Sequence, residues 1–113
     1  MFKLDLSNDY SWPVKVDVAG DKGLVKSFSF TARFRRFAQD ELDQVMRDVE
    51  AKTLSDEDLA NRVLVGWEDV SDADGTVLEV SPANKAALLN TYPVRPAVIG
   101  AFFESLQGGK RKN

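Results

Sequence analysis

Residues 13–49 read PVKVDVAGDKGLVKSFSFTARFRRFAQDELDQVMRDV, and the hydrophobic period changes once within them, from two to about 3.6. Val14, Val16 and Val18 share one face of an extended chain, with Lys15 and Asp17 on the other. Gly20-Asp21-Lys22-Gly23 is turn chemistry, because glycine supplies positive φ without steric cost. From Leu24 to Phe34 the alternation returns through Phe28, Phe30, Ala32 and Phe34, so residues 13 to 33 are expected to form a β-hairpin with that aromatic face as core. Next Ala38, Leu42, Val45, Met46 and Val49 fall at helical spacing, with acids on the remaining faces, which predicts an amphipathic helix.

Working outward, Ser55-Asp56-Glu57-Asp58 has the chemistry of a helix start: a serine cap followed by acids beside the positive end of the dipole. Leu59, Val63, Leu64 and Trp67 continue an apolar stripe. Asp72-Ala73-Asp74-Gly75 then turns into Thr76 to Val80, a short strand expected to pair back on residues 67 to 70. Ser81-Pro82 opens a third helix running to about Thr91, and Pro93 and Pro96 break and restart it. Val94, Val98, Ala101, Phe102 and Leu106 recur at helical spacing until Gly108-Gly109. The expected fold is α+β: an N-terminal β-hairpin, then about four helices with a short second hairpin. Residues 1–109 form a single domain in this reading, and Lys110-Arg111-Lys112-Asn113 a flexible basic C-terminal tail.

The 113 residues include neither histidine nor cysteine, which removes thiolate and imidazole metal sites, disulfides and every Cys- or His-based catalytic group. Asp72, Asp74 and Gly75 resemble part of a calcium loop, but Val70 and Ser81 would occupy the first and twelfth positions, so a tight turn fits better. Gly108-Gly109-Lys110 lacks the preceding strand and following helix of a phosphate loop. No catalytic, cofactor or metal residue is expected, and a binding protein is favoured over an enzyme. The longest apolar run, Ala97 to Phe103, is seven residues, far below a bilayer span, and the acid at position 5 argues against a secretory leader.

Charge is segregated. Residues 1–36 carry +3, residues 37–80 carry −10 and residues 81–113 carry +4, which suits either a solvated acidic face or a head-to-tail contact between copies. Arg33, Arg35 and Arg36 interleave with Phe34 and Phe37, a pattern that can serve single-stranded nucleic acid. The acidic balance and outward-facing arginines beside an acidic helix make that role the weaker reading. Trp67 and Phe102-Phe103 are candidate contact anchors, each weighed against a place in the core. The apolar positions of the last helix cover more than one face, so one side should join the core while the other, with Phe103, meets a partner.

Several ordered strings resemble the small tail assembly chaperones of long-tailed bacteriophages and prophages. They are Phe30-Thr31-Ala32-Arg33-Phe34-Arg35-Arg36, Val63-Leu64-Val65-Gly66-Trp67, and Asp74-Gly75 leading through Ser81-Pro82-Ala83-Asn84 to Ala87-Leu88-Leu89. The ending, Phe102-Phe103-Glu104-Ser105-Leu106 with Gly109-Lys110-Arg111-Lys112-Asn113, belongs with them. Glu68-Asp69 and Val80 depart from the family pattern. The resemblance implies a non-enzymatic, homo-oligomeric protein of the bacterial host cytoplasm, absent from the mature virion, that coats the tape measure protein and yields to the polymerising tail tube. It further implies a longer product of programmed frameshifting that recruits the tail tube protein, and either Arg111-Lys112-Asn113 or Gly108-Gly109-Lys110 can be encoded by a slippery heptamer. Lys110, Arg111 and Lys112 then lead into that extension and, with Phe103, are the partner-binding candidates. Another morphogenesis protein, such as a tail completion or head-tail joining factor, or a nucleic-acid-binding regulator, are the alternatives.

Overall fold

The computed structural model describes residues 1–108. Two strands, β1 (Asp9–Ala19) and β2 (Val25–Arg35), form the hairpin around a short 3-10 turn, Asp21–Gly23. Helices α1 (Gln39–Glu50) and α2 (Asp56–Val63) follow, then strand β3 (Leu64–Glu68) and helices α3 (Pro82–Leu89) and α4 (Val94–Leu106). The sheet is antiparallel, with order β1-β2-β3. The fold is α+β with an N-terminal hairpin.

The hairpin is longer than its sequence signal at both ends. Val14 faces Phe30 and Tyr10 faces Phe34, so Tyr10 and Trp12 extend the inward set that begins with Val14. Pro13 marks no strand end because of the bonding phase. Gly20 N–H donates to Leu24 O at 2.7 Å and Arg36 N–H to Asn8 O at 2.8 Å, so bonded pairs fall on even-numbered residues at both ends of the ladder. The backbone groups of odd-numbered residues point away from the partner strand. Pro13 therefore lacks its N–H on the outer edge, where no ladder bond is lost.

Val14, Val16, Phe30, Ala32 and Phe34 are buried on the inner face with Val45, Leu59, Val63, Leu64, Trp67, Leu89, Val98 and Phe102 in one core. Phe28 shares that face but is 55% exposed, which corrects its expected place in the core. The hairpin runs past the helices that cover its base, so the alternation continues after the cover has ended. Met46 is likewise exposed, while Val45 is the buried residue of α1 and Leu42 and Val49 are half-buried.

A larger difference lies at Leu64. The stripe Leu59, Val63, Leu64, Trp67 is not helical throughout: α2 ends at Val63, and Leu64 turns extended at φ −92°, ψ 111°. Leu64 to Glu68 form β3 on the free side of β2, with Ala32 opposite Trp67 and a bulge between Arg33 and Phe34. The second hairpin is reduced to one bridge, Ser71 to Val77, with Leu78 N–H donating to Val70 O at 2.8 Å, because Asp69 at φ +67° ends the extended run after Glu68. Its turn is built by Asp72, whose carboxylate accepts from Asp74 N–H (2.9 Å) and Thr76 N–H (3.0 Å), and by Gly75 at φ +84°.

The caps behave as their chemistry dictates. Ser55 Oγ accepts from Asp58 N–H and Ser81 Oγ from Asn84 N–H, each at 3.1 Å. Helix α3 stops at Leu89, before Thr91, whose hydroxyl donates to Ala87 O at 2.9 Å. Pro96 sits inside the first turn of α4, where no intrahelical N–H bond is due, so one helix runs from Val94 through it.

Candidate functional site

Helix α4 buries Val94, Val98, Ala101 and Phe102 and lies against β1 and α2. Phe102 is the hub of an aromatic cluster, meeting Phe34 edge-on at 5.5 Å between centroids, Phe37 at 5.9 Å and Phe103 at 5.7 Å. Tyr10 continues the chain against Phe34 at 6.0 Å. Phe103 is half-buried at the outer end of this cluster, with one side on the core and the other open. Lys110, Arg111, Lys112 and the expected tail lie outside the described residues.

Beside the cluster is a groove of about 370 Å³ between the base of the hairpin, the start of α1 and the end of α4, walled by Tyr10, Trp12, Phe37, Leu42 and Leu106 with Arg35 and Arg36 at its rim. Arg35 reaches Glu41 at 2.7 Å and lies 4.9 Å from the Phe37 ring centroid. The Arg36 guanidinium lies 4.8 Å from the Tyr10 centroid, and its Nε donates to Ser7 O at 2.9 Å. The Ser105 hydroxyl donates to Phe102 O at 2.6 Å, so the 2.6 Å contact between Tyr10 Oη and Ser105 Oγ has tyrosine as donor. These bonds fix the aromatic walls and leave the cationic edges of Arg35 and Arg36 facing outward. An apolar floor with a positive rim suits an amphipathic helix carrying acids.

The expected placement of the arginines outward, against the acidic helix, holds at Arg35. Arg33 pairs with Asp9 and donates to Ser11 Oγ at 2.8 Å. Trp67 and Phe102 belong to the core, and the Trp67 indole N–H donates to Leu78 O at 2.9 Å. Tyr10, Trp12 and Leu42 are groove residues that the sequence reading did not single out as functional. Their signal was available: the period-two pattern extends back from Val14 through Trp12 to Tyr10, across the proline.

A second cleft, about 330 Å³, lies between α2, α3 and the start of α4 beside Glu57, Asn61, Asn90 and Arg95. Lys85 donates to Asn61 O at 2.6 Å nearby, and partial burial pushes its amine below the ordinary lysine value. Among the described residues no group of three or more acidic side chains is placed to hold a metal ion. No helix there is long and apolar enough to cross a membrane. No protein-family model, curated protein or solved structure matches the chain.

Proposed function

We propose that the chain is a tail assembly chaperone of a long-tailed phage or prophage, a non-enzymatic cover for the tape measure protein in the host cytoplasm. The observation that carries this reading is the ordered set of family-like strings, from Phe30–Arg36 at the end of β2 and just past it, through Val63–Trp67, to Phe102–Leu106 in α4. The groove adds support. A long client helix exposed before tube assembly is an aggregation hazard, and an aromatic trough with a cationic rim can shield such a helix reversibly. Several weak sites along one client give retention by multivalency while each contact remains displaceable by tube subunits. Self-association of the cover strengthens that effect, and a longer frameshifted form would link the coat to the tail tube protein.

The test is coexpression with the tape measure protein of the phage or prophage that encodes this chain. The expected result is a soluble complex with many copies of this chain per client, weakened when Arg35 and Arg36 are both changed to Glu. A client that stays insoluble in the presence of the chain overturns the reading. Recovery of the chain in purified virions would favour a structural tail or head-tail component instead.

A further inference from the structure

The segment before β1 has the pattern of a strand and no sheet to join. In Phe2-Lys3-Leu4-Asp5-Leu6 the apolar residues alternate with charged ones, yet all three are exposed, Leu4 by 93%. One face of an extended five-residue segment is thus apolar and uncovered.

The sheet has a matching vacancy. Strand β3 pairs with β2 only from Thr31 to Phe34, so residues 25–29 have β1 on one side and, among the described residues, no ladder partner on the other. The bonding phase set by Gly20–Leu24 and Asn8–Arg36 turns the N–H and C=O groups of Val25, Ser27 and Ser29 toward that open side. On the inner face at this level, Phe28 and Val18 stand exposed. The opposite edge of the sheet, along β1, is guarded by Pro13 and by the charges of Lys15 and Asp17, whereas residues 25–29 of β2 carry a single charge, Lys26 on the inner face, and none at the outward positions.

We propose that residues 2–6 of one copy add as a strand to residues 25–29 of a second copy. The added strand would satisfy the orphan groups of Val25, Ser27 and Ser29 and lay Phe2, Leu4 and Leu6 over the uncovered face around Phe28. Lys3 and Asp5 then fall on the outer face beside the small, neutral Ser27 and Ser29, with no like charge opposed. The same copy cannot make this contact. Ser7 O and Asn8 O are both held by Arg36, so Leu6 stays within roughly 10 Å of that end, because consecutive Cα atoms are 3.8 Å apart. Ser29 lies seven residues further along β2, about 24 Å away at ~3.4 Å per residue. Donor and acceptor therefore sit at opposite ends of one hairpin, and the contact runs head to tail from copy to copy. This rests on the self-association in the reading above and names the segment and edge that produce it.

The chain has no cysteine, which makes disulfide trapping specific. Residues opposed at bonded positions would have Cα atoms about 5.5 Å apart, within disulfide reach. Single variants Lys3→Cys and Asp5→Cys are each mixed with Ser27→Cys and Ser29→Cys under mild oxidation, with Lys15→Cys on the guarded edge as control. Covalent heterodimers are expected with the β2 variants at least tenfold faster than with the control, and which pairs trap gives the strand direction. Adding Leu4→Asp to the donor chain should abolish trapping and lower the sedimentation coefficient, with an unchanged circular dichroism spectrum. Trapping no faster than with Lys15→Cys, or sedimentation unaffected by Leu4→Asp, overturns the proposal. If Leu4→Asp self-associates and covers the client normally, strand addition falls while the chaperone reading stands. If trapping succeeds and no form covers the client, the reverse holds.

Discussion

Trp67 ties β3 to the segment that leads into α3. Its indole is buried in the core, and its N–H holds Leu78 O at 2.9 Å, a bond that works with the packing of Val70 and Leu78 on the core and with Asn84 Nδ2 donating to Glu79 O at 2.8 Å. Trp67→Phe keeps much of the packing and leaves the carbonyl without that donor, at an expected cost of about 1–2 kcal/mol. Urea denaturation reads the cost, and amide exchange should show faster opening at residues 70–78 than in β2. Lys85 makes a different demand. Its folded-state value lies below the ordinary 10.5 because partial burial disfavours the charged amine. Between the lowered value and 10.5 the unfolded chain binds more protons than the folded one, so stability rises with pH through that window. Lys85→Met keeps the apolar stem and removes the titration, so its stability relative to the native chain should fall as pH climbs through the same window. Urea midpoints of both proteins from pH 8 to 11 would show it, and a constant difference would remove this account of Lys85.

At the scale of elements, local chemistry made some features legible and left others hidden. The hairpin and α1 follow from periodicity alone, because the apolar face switches at Phe34–Phe37 from alternate residues to every third or fourth. Strand β3 does not. Leu59, Val63 and Trp67 fit helical spacing as well as they fit a helix followed by a strand, and the deciding fact is non-local: Ala32 and Phe34 have a free edge that Leu64 to Glu68 can fill. The reduced second hairpin has a local cause: Asp69 takes φ +67°, which ends the extended run of β3 at Glu68, so the bridge to Val77 forms only at Ser71. In the candidate site, the Arg35–Glu41 pair was readable from outward arginines before an acidic helix. The groove was not, because it takes shape only when the ends of β1 and α4, remote in sequence, meet at Tyr10 and Ser105. Helix α4 supplies the test at this scale. Phe102→Ala removes the hub of the aromatic cluster and should cost about 3–5 kcal/mol. Phe103→Ser, at the half-exposed end, should cost about 1–2 kcal/mol because less apolar area is at stake, while weakening assembly or client capture more than Phe102 variants of matched stability do. If Phe103→Ser instead unfolds the chain, its ring is a core element and not a contact.

The whole molecule is less compact than its length requires. A 113-residue globule has an expected radius of gyration near 13 Å, whereas the observed value is 15.3 Å. The tip of the hairpin and the segment before β1 carry exposed apolar groups at opposite ends of the β1–β2 ladder. Charge is also left unspent. Among the described residues the ion pairs are Arg33–Asp9 and Arg35–Glu41, so only one of the thirteen acids in residues 37–80 is neutralised by a salt bridge. Two forces can therefore draw copies together, and they differ in their response to salt. Attraction between the acidic middle and the basic flanks acts over a Debye length of about 10 Å at 0.1 M salt and about 3 Å at 1 M, so it should fade across that range. Strand addition covers apolar surface and pairs backbone groups, which salt does not screen. Sedimentation at fixed protein concentration should therefore show large assemblies at low salt and smaller, persistent ones at high salt. Leu4→Asp should leave the low-salt attraction partly intact and remove the high-salt remainder. Loss of all assembly at 1 M salt in the native chain would mean that charge alone holds the copies together, and a strict monomer at high concentration and low salt would exclude self-association altogether.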